Sequence, residues 1–161
     1  MIYPIIVDIL ERSGVPYRLH SHPPVTTVEE AFVKAPRLTH NLLKTVVFRI
    51  KAGDWILAAV AGNVRIHYKK LADAMGVNRK KLRSISPAMV ESELGFLIGG
   101  VGPFPVRADI RVVFDAGLEQ LGTVFCGSGR NTETVEMDIG DLIRLSRGNV
   151  YPISTNGNSR F

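Results

Sequence analysis

The chain predicts a mixed α/β (α+β) domain in which helices surround a curved, mixed β-sheet. Two observations carry this. Short β-rich runs recur between amphipathic helical segments without the regular strand–helix alternation of βαβ units, and 161 residues suffice for one core without metal or disulfide support. A single domain over residues 1–153 is expected. The segment from Ser154 to Arg160 is rich in Ser, Asn and Gly, so residues 154–161 read as a flexible tail.

Ile5, Ile6, Ile9 and Leu10 share one helical face between Ile2 and Glu11, and Gly14 and Pro16 stop that first helix. Tyr17 to His22 reads as a strand closed by Pro23-Pro24. Thr26 or Thr27 then caps a short helix running to Lys34, with Glu29 and Glu30 favourably placed in its first turn, and Pro36 ends it. Leu43–Lys51 and Trp55–Ala61 form a hairpin across Ala52-Gly53-Asp54. Extended Val64-Arg65-Ile66 leads into a helix from His67 to Met75, stopped by Gly76. Strands are expected at Leu82–Ile85, Arg111–Asp115, Thr123–Cys126 and Thr134–Met137. Helices fit Pro87–Leu94, where proline is tolerated in the first turn, and Ile139–Leu145, ended by Gly148.

Composition excludes several classes. Hydrophobic residues make up 45% and charged residues 22% of the chain, ordinary globular usage that argues against disorder or a fibrous repeat. The one cysteine, Cys126, has no internal disulfide partner and reads as a buried thiol, which fits the cytoplasm. No apolar run reaches bilayer-spanning length, and no membrane association is expected. The net charge of +5 is compatible with an anionic partner such as nucleic acid.

The glycine clusters lack a Walker Gly-Lys-Ser/Thr ending and the strand–crossover context of a dinucleotide fold. His20, His22, His40 and His67 show no zinc spacing, so neither metal nor cofactor is expected. Ser128 lacks the full spacing of a nucleophile elbow.

The most informative stretch is residues 95–105, with four glycines and two prolines. Gly99, Gly100 and Gly102 allow close backbone approach to a ligand, and Pro103 and Pro105 stiffen the turn. Phe104 and Pro105 either narrow the resulting pocket or pack behind it. Lys44 begins a strand among apolar neighbours, where its ammonium either projects into a cleft or guards an edge. Lys69, Lys70, Arg79, Lys80, Lys81 and Arg83 form a basic segment suited to phosphates, or simply a solvated face.

Taken together, Leu43-Lys44-Thr45-Val46-Val47, Gly99-Gly100-Val101-Gly102-Pro103 and Gly127-Ser128-Gly129-Arg130, followed by Thr134-Val135-Glu136-Met137 and Gly140-Asp141-Leu142, resemble the YbaK/prolyl-tRNA synthetase editing-domain family. The resemblance extends from the first helix to Leu145. It implies a sheet closed towards a barrel and a free-standing aminoacyl-tRNA deacylase acting on mischarged tRNA, most plausibly tRNA(Pro) carrying a small wrong amino acid. It also implies tRNA as partner, with association with an aminoacyl-tRNA synthetase.

The resemblance places Lys44 in the active cleft. On chemical grounds backbone groups at Gly99, Gly100 or Gly102 polarise the ester or hold the water, and Lys44 binds the terminal phosphate or ribose region. A neighbouring hydroxyl of the substrate's terminal ribose is a further candidate participant. Val101, Gly102, Pro103, Gly127, Ser128 and Thr134 line the amino-acid pocket, and His22 in His-Pro-Pro lies near it as a catalytic group or a turn cap. Lys69, Lys70, Arg79, Lys80 and Lys81 would meet the acceptor stem. An aminoacyl ester is already activated, so a placed water and a stabilised oxyanion suffice without a covalent nucleophile. Thr134 stands where the cysteine-editing branch carries an acid, and the histidine of the alanine-editing branch is replaced by Gly127-Ser128-Gly129. The alternatives are a noncatalytic tRNA- or nucleotide-binding module of the same fold and a hydrolase of small acyl esters outside translation.

Overall fold

The computed structural model describes residues 2–155. Pro4 sits at the start of α1 (Tyr3–Ser13), and Gly14 closes it at φ 72°, a left-handed position that costs glycine little. The helix buries Ile6 and Leu10. β1 (Tyr17–Ser21) follows. In α2 (Val28–Lys34) the Thr27 hydroxyl accepts from the Glu30 amide, while the Glu30 carboxylate accepts from the amide and hydroxyl of Thr26, both at 2.7 Å. These reciprocal bonds fix the start of a helix too short to hold itself.

β2 (Leu43–Ile50) and β3 (Trp55–Ala61) form the expected hairpin. α3 (Tyr68–Met75), β4 (Leu82–Ser84), α4 (Pro87–Leu94), β5 (Ile110–Asp115), β6 (Thr123–Gly127), β7 (Glu133–Asp138) and α5 (Ile139–Ser146) also lie close to their sequence-predicted bounds. β8 (Asn149–Tyr151) was not expected. It pairs in parallel with β5. Three residues after a helix carry no readable alternation, so this strand is made by its partner.

The architecture differs from one barrel-like sheet. A five-stranded mixed sheet runs β4-β2-β3-β5-β8, and a separate three-stranded antiparallel sheet runs β1-β7-β6. Among the described residues no closed barrel forms. Among the described residues one β-bridge, between Leu42 and Phe125, links the two sheets, secured by Asn41, whose side-chain amide donates to the carbonyls of Leu121 and Thr123 at 3.1 Å.

Along β3 every residue from Trp55 to Val60 is buried. Trp55, Leu57 and Ala59 face a core shared with α1, α4, α5 and the small sheet, whereas Ile56, Ala58 and Val60 face a second core under α3. The period of two thus distributes one apolar strand between two cores.

The expected flexible tail begins inside the ordered fold. Ser154 bridges Ile66, and the Thr155 amide donates to the Arg65 carbonyl at 2.9 Å. The rest of that segment, residues 156–161, lies outside the described residues. No helix among the described residues is long and apolar enough to cross a membrane, and no cluster of metal-ligating side chains occurs among them.

Candidate active site

A cavity of about 460 Å³ opens between the start of β2, the start of α2, the Gly99 loop and the facing ends of β6 and β7. His22, Lys44, Gly99, Val101, Gly127 and Thr134 all line it. Residues spread across most of the chain are therefore brought to one concave surface. Its floor is apolar, with Leu43, Val47, Val90 and Cys126. Burial pushes the Cys126 thiol far above its ordinary pKa, so this sulfur acts as a small apolar group.

Lys44 is half-buried at the open end of the large sheet, in register with Val60. Its pKa is lowered, first by burial, then by the positive charge of Arg65, against which Glu29 pulls upward more strongly than Arg65 pushes down. No hydrogen bond or ion pair engages its ammonium among the described residues. A half-desolvated cation with no contacting counter-ion among the described residues is a candidate anion site.

His22 is held at the cavity wall by two hydrogen bonds. One ring nitrogen, Nδ1, lies 2.8 Å from the Pro23 carbonyl, and because a carbonyl only accepts, this nitrogen carries the proton. In the neutral ring Nε2 then accepts from the Thr134 hydroxyl, 2.8 Å away. The turn cap thereby orients a Thr134 oxygen at the cavity wall.

The glycine-rich loops pack chiefly on each other rather than on open space. A Cβ on Gly100 would stand 2.6 Å from the Arg130 carbonyl carbon, and one on Gly127 would stand 2.6 Å from the Gly100 carbonyl oxygen. Gly102 abuts the Gly127 carbonyl in the same way. The Gly100 amide donates to Leu97 and its carbonyl accepts from Gly129, at 2.8 and 2.7 Å. This corrects the expectation that Gly100 offers its backbone to a ligand: both of its polar groups are committed to loop packing.

Gly102, Pro103 and Ser128 are also buried and stand outside the cavity lining. The Ser128 hydroxyl donates to the Glu133 carbonyl at 2.7 Å, and Phe104 is fully buried behind the loop. Gly99 differs, being exposed at φ 86° against the Val25–Thr26 backbone. The amides of Gly99 and Val101 meet no acceptor among the described residues.

The basic segment lies elsewhere. Lys69 pairs with Asp73 at 2.7 Å, Lys70 donates to the Ser154 carbonyl at 3.1 Å, and the Arg79 guanidinium stacks over Tyr68 at 4.6 Å. None of these, nor Lys80 or Lys81, lines the cavity. Lys80 and Lys81 precede β4, whose Leu82 pairs with Ile50 at the far end of β2 from Lys44. Six strand residues put them roughly 20 Å away.

Sequence reasoning missed Glu29, Thr45, Arg130 and Glu133 as cavity residues. Oγ1 of Thr45 and Oε1 of Glu133 are buried with no hydrogen-bond partner among the described residues. Arg130 stacks over Tyr3 at 3.6 Å, and the phenol's pKa is raised by burial and by neighbouring Glu133. A Lys-Thr pair on a strand does signal that Thr45 faces opposite to Lys44; nothing in the sequence signals that its hydroxyl goes unpaired.

The chain belongs to the aminoacyl-tRNA editing domain family, whose model matches residues 22–145. It is 31% identical over 125 residues to the uncharacterized protein YwhH of Bacillus subtilis, covering 78% of each chain. It is 28% identical over 149 residues to the prolyl-tRNA editing protein ProX of Acetoanaerobium sticklandii, covering 89% of this chain and 90% of that one. Its fold superimposes with a TM-score of 0.79, at 24% identity, on a crystal structure whose proposed role is trans-editing for prolyl tRNA synthetase, covering 96% of this chain and 97% of the other.

Proposed function

We propose that this protein is a trans-editing aminoacyl-tRNA deacylase that hydrolyses the ester of a mischarged tRNA, with tRNA(Pro) bearing a small wrong amino acid as substrate. The convergence of His22, Lys44, Gly99, Val101 and Thr134 on one cavity of about 460 Å³ is the observation that carries this reading. Membership of the editing-domain family supports the reaction class, and the name of the ProX relative supports tRNA(Pro).

In this reading the aminoacyl group enters over the apolar floor. Water attacks the ester carbonyl, the C–O bond to the ribose breaks, and the ribose oxygen leaves with a proton, giving the free amino acid. The Gly99 and Val101 amides face the developing oxyanion, a role in which one donor is worth about 10²–10³ in rate. The His22–Thr134 pair orients the water, and Lys44 holds the phosphate–ribose end of the substrate. Lys80 and Lys81 are free to meet stem phosphates one strand-length away, with an aminoacyl-tRNA synthetase as a further partner that passes on the mischarged tRNA.

Incubating a panel of mischarged tRNAs with wild type and Lys44→Ala tests the reading. Release of one small amino acid from tRNA(Pro), lost in the variant, is expected. Salt-sensitive tRNA binding without any hydrolysis would instead identify a binding module, and hydrolysis uncompeted by free tRNA would identify an esterase outside translation.

A further inference from the structure

The row of side chains that leaves the cavity along β2 ends in a pair of like charges. Val47 and Ile85 line the cavity, and the Ile85 amide donates to the Val47 carbonyl at 3.0 Å. Side chains on one face of a sheet recur at every second residue, so Arg49 and Arg83 continue this row about 7 Å further on. The two arginines are register partners across β2 and β4, and on its other side Arg49 stands opposite Trp55. Both arginines are exposed.

Like charges directly opposite each other destabilise an antiparallel pair. The structure relieves one of them only. The Arg49 guanidinium lies 4.7 Å from the centre of the Trp55 ring, and its Nε reaches the Gly53 carbonyl at 3.5 Å. Arg83 has no hydrogen bond or ion pair among the described residues. Asp109, whose carbonyl accepts from the Trp55 amide, has its carboxylate held by Arg107 at 3.0 and 2.8 Å, and Asp54 in the hairpin turn forms no ion pair with either arginine. The Lys51 amide donates to the Lys81 carbonyl at 2.8 Å, which brings two more exposed cations to this end of the sheet. β4 is an edge strand, where one charge deters further pairing; a second arginine opposite it adds nothing to the fold.

We propose that Arg49 and Arg83 form a two-guanidinium clamp for a phosphodiester of the RNA strand whose charged 3′ end enters the cavity. This rests on the deacylase reading above. Guanidinium forks match phosphate oxygens through parallel N–H donors, and Trp55 fixes one fork before the RNA arrives. Arg49 is five residues from Lys44, about 17 Å of strand, or about five nucleotide steps at a stacked rise of 3.4 Å. The clamp therefore senses chain length. A dinucleotide ends short of it, and a ten-residue strand reaches past it.

The test separates the clamp from the reaction. RNA strands of two and ten residues with the same 3′ end are titrated into wild type, Arg83→Gln and Arg83→Lys over a salt series, alongside thermal melts and deacylation of mischarged tRNA. Wild type is expected to bind the longer strand at least about tenfold more tightly, as one charge-assisted contact implies. Arg83→Gln removes most of that advantage, leaves the dinucleotide unaffected and makes the salt dependence shallower by about 0.7 in log–log slope, the share of one single-strand phosphate. Arg83→Lys restores part of it. With mischarged tRNA, Arg83→Gln raises KM at unchanged kcat, and its Tm holds or rises because an opposed charge is gone. Equal affinity of wild type for both strands, an unaltered salt slope in Arg83→Gln, or a polyglutamate of equal charge competing as well as the RNA would overturn the clamp even if deacylation proceeds. Length-dependent, Arg83-dependent binding without deacylation would keep the clamp and reject the deacylase reading.

Discussion

Replacing Thr45 by Val is expected to stabilise the protein. Thr45 shares its face of β2 with Leu43 and Val47, both buried in the larger core, and its Oγ1 is buried with no partner among the described residues. Such an orphaned hydroxyl costs about 1–3 kcal/mol. Valine keeps the β-branched shape suited to a strand and leaves no void. Taking the low end, a gain of about 1 kcal/mol moves Tm by about 2–4 °C in a domain of this size. The assay is thermal unfolding together with urea unfolding, where the midpoint should rise at unchanged m-value. Thr45→Ala is the control, since it also removes the orphan but opens a methyl-sized gap. A Thr45→Val variant that unfolds several degrees below wild type would refute the reasoning, because the hydroxyl would then have a partner worth more than its burial costs.

Three further outcomes follow from the site. Lys44 has a folded pKa below its ordinary 10.5; the unfolded chain binds more protons between the two values, so stability climbs as pH rises through that window. Lys44→Met should remove this climb and raise Tm at neutral pH, while kcat/KM for mischarged tRNA falls at least about tenfold, as a pH series of melts and a deacylation assay would read. Gly99→Ala should cost more than about 2 kcal/mol, against about 1 for Gly14→Ala. Both have positive φ, but only at Gly99 would the added Cβ meet backbone, 2.6 Å from Thr26 Cα; chemical denaturation compares them. The Glu30 carboxyl is held at about 2, below its ordinary 4.5, chiefly by the Thr26 amide and hydroxyl and also by Lys34. Its contribution is complete above pH 4.5 and lost as pH falls towards 2, so the Tm gap between wild type and Glu30→Gln should close over that range.

What the sequence disclosed depended on how local the cause was. Proline at the first turn of α4, glycine after α3 and the Ala52-Gly53-Asp54 hairpin act within a few residues, and those elements formed near their expected bounds. The division into two sheets arises from β1 pairing with β7, where Tyr17 lies opposite Met137, and no local pattern encodes a pairing across that separation. The same distinction governs the site. Lys44, His22, Gly99 and Thr134 stand in motifs, whereas Glu29 is an ordinary first-turn carboxylate of a short helix until the fold brings the start of α2 to the cavity. Gly100 and Gly102 show the converse. Glycine marks close approach of a backbone, and here the approaching group is the Gly127–Arg130 loop rather than a ligand.

The most direct measurement is the decay of mischarged Ala-tRNA(Pro) beside correctly charged Pro-tRNA(Pro) with catalytic amounts of enzyme. The account predicts rapid release of alanine, intact Pro-tRNA(Pro) and loss of release in Lys44→Ala. Decay no faster than in buffer, for alanine and for every other small amino acid on tRNA(Pro), would contradict it.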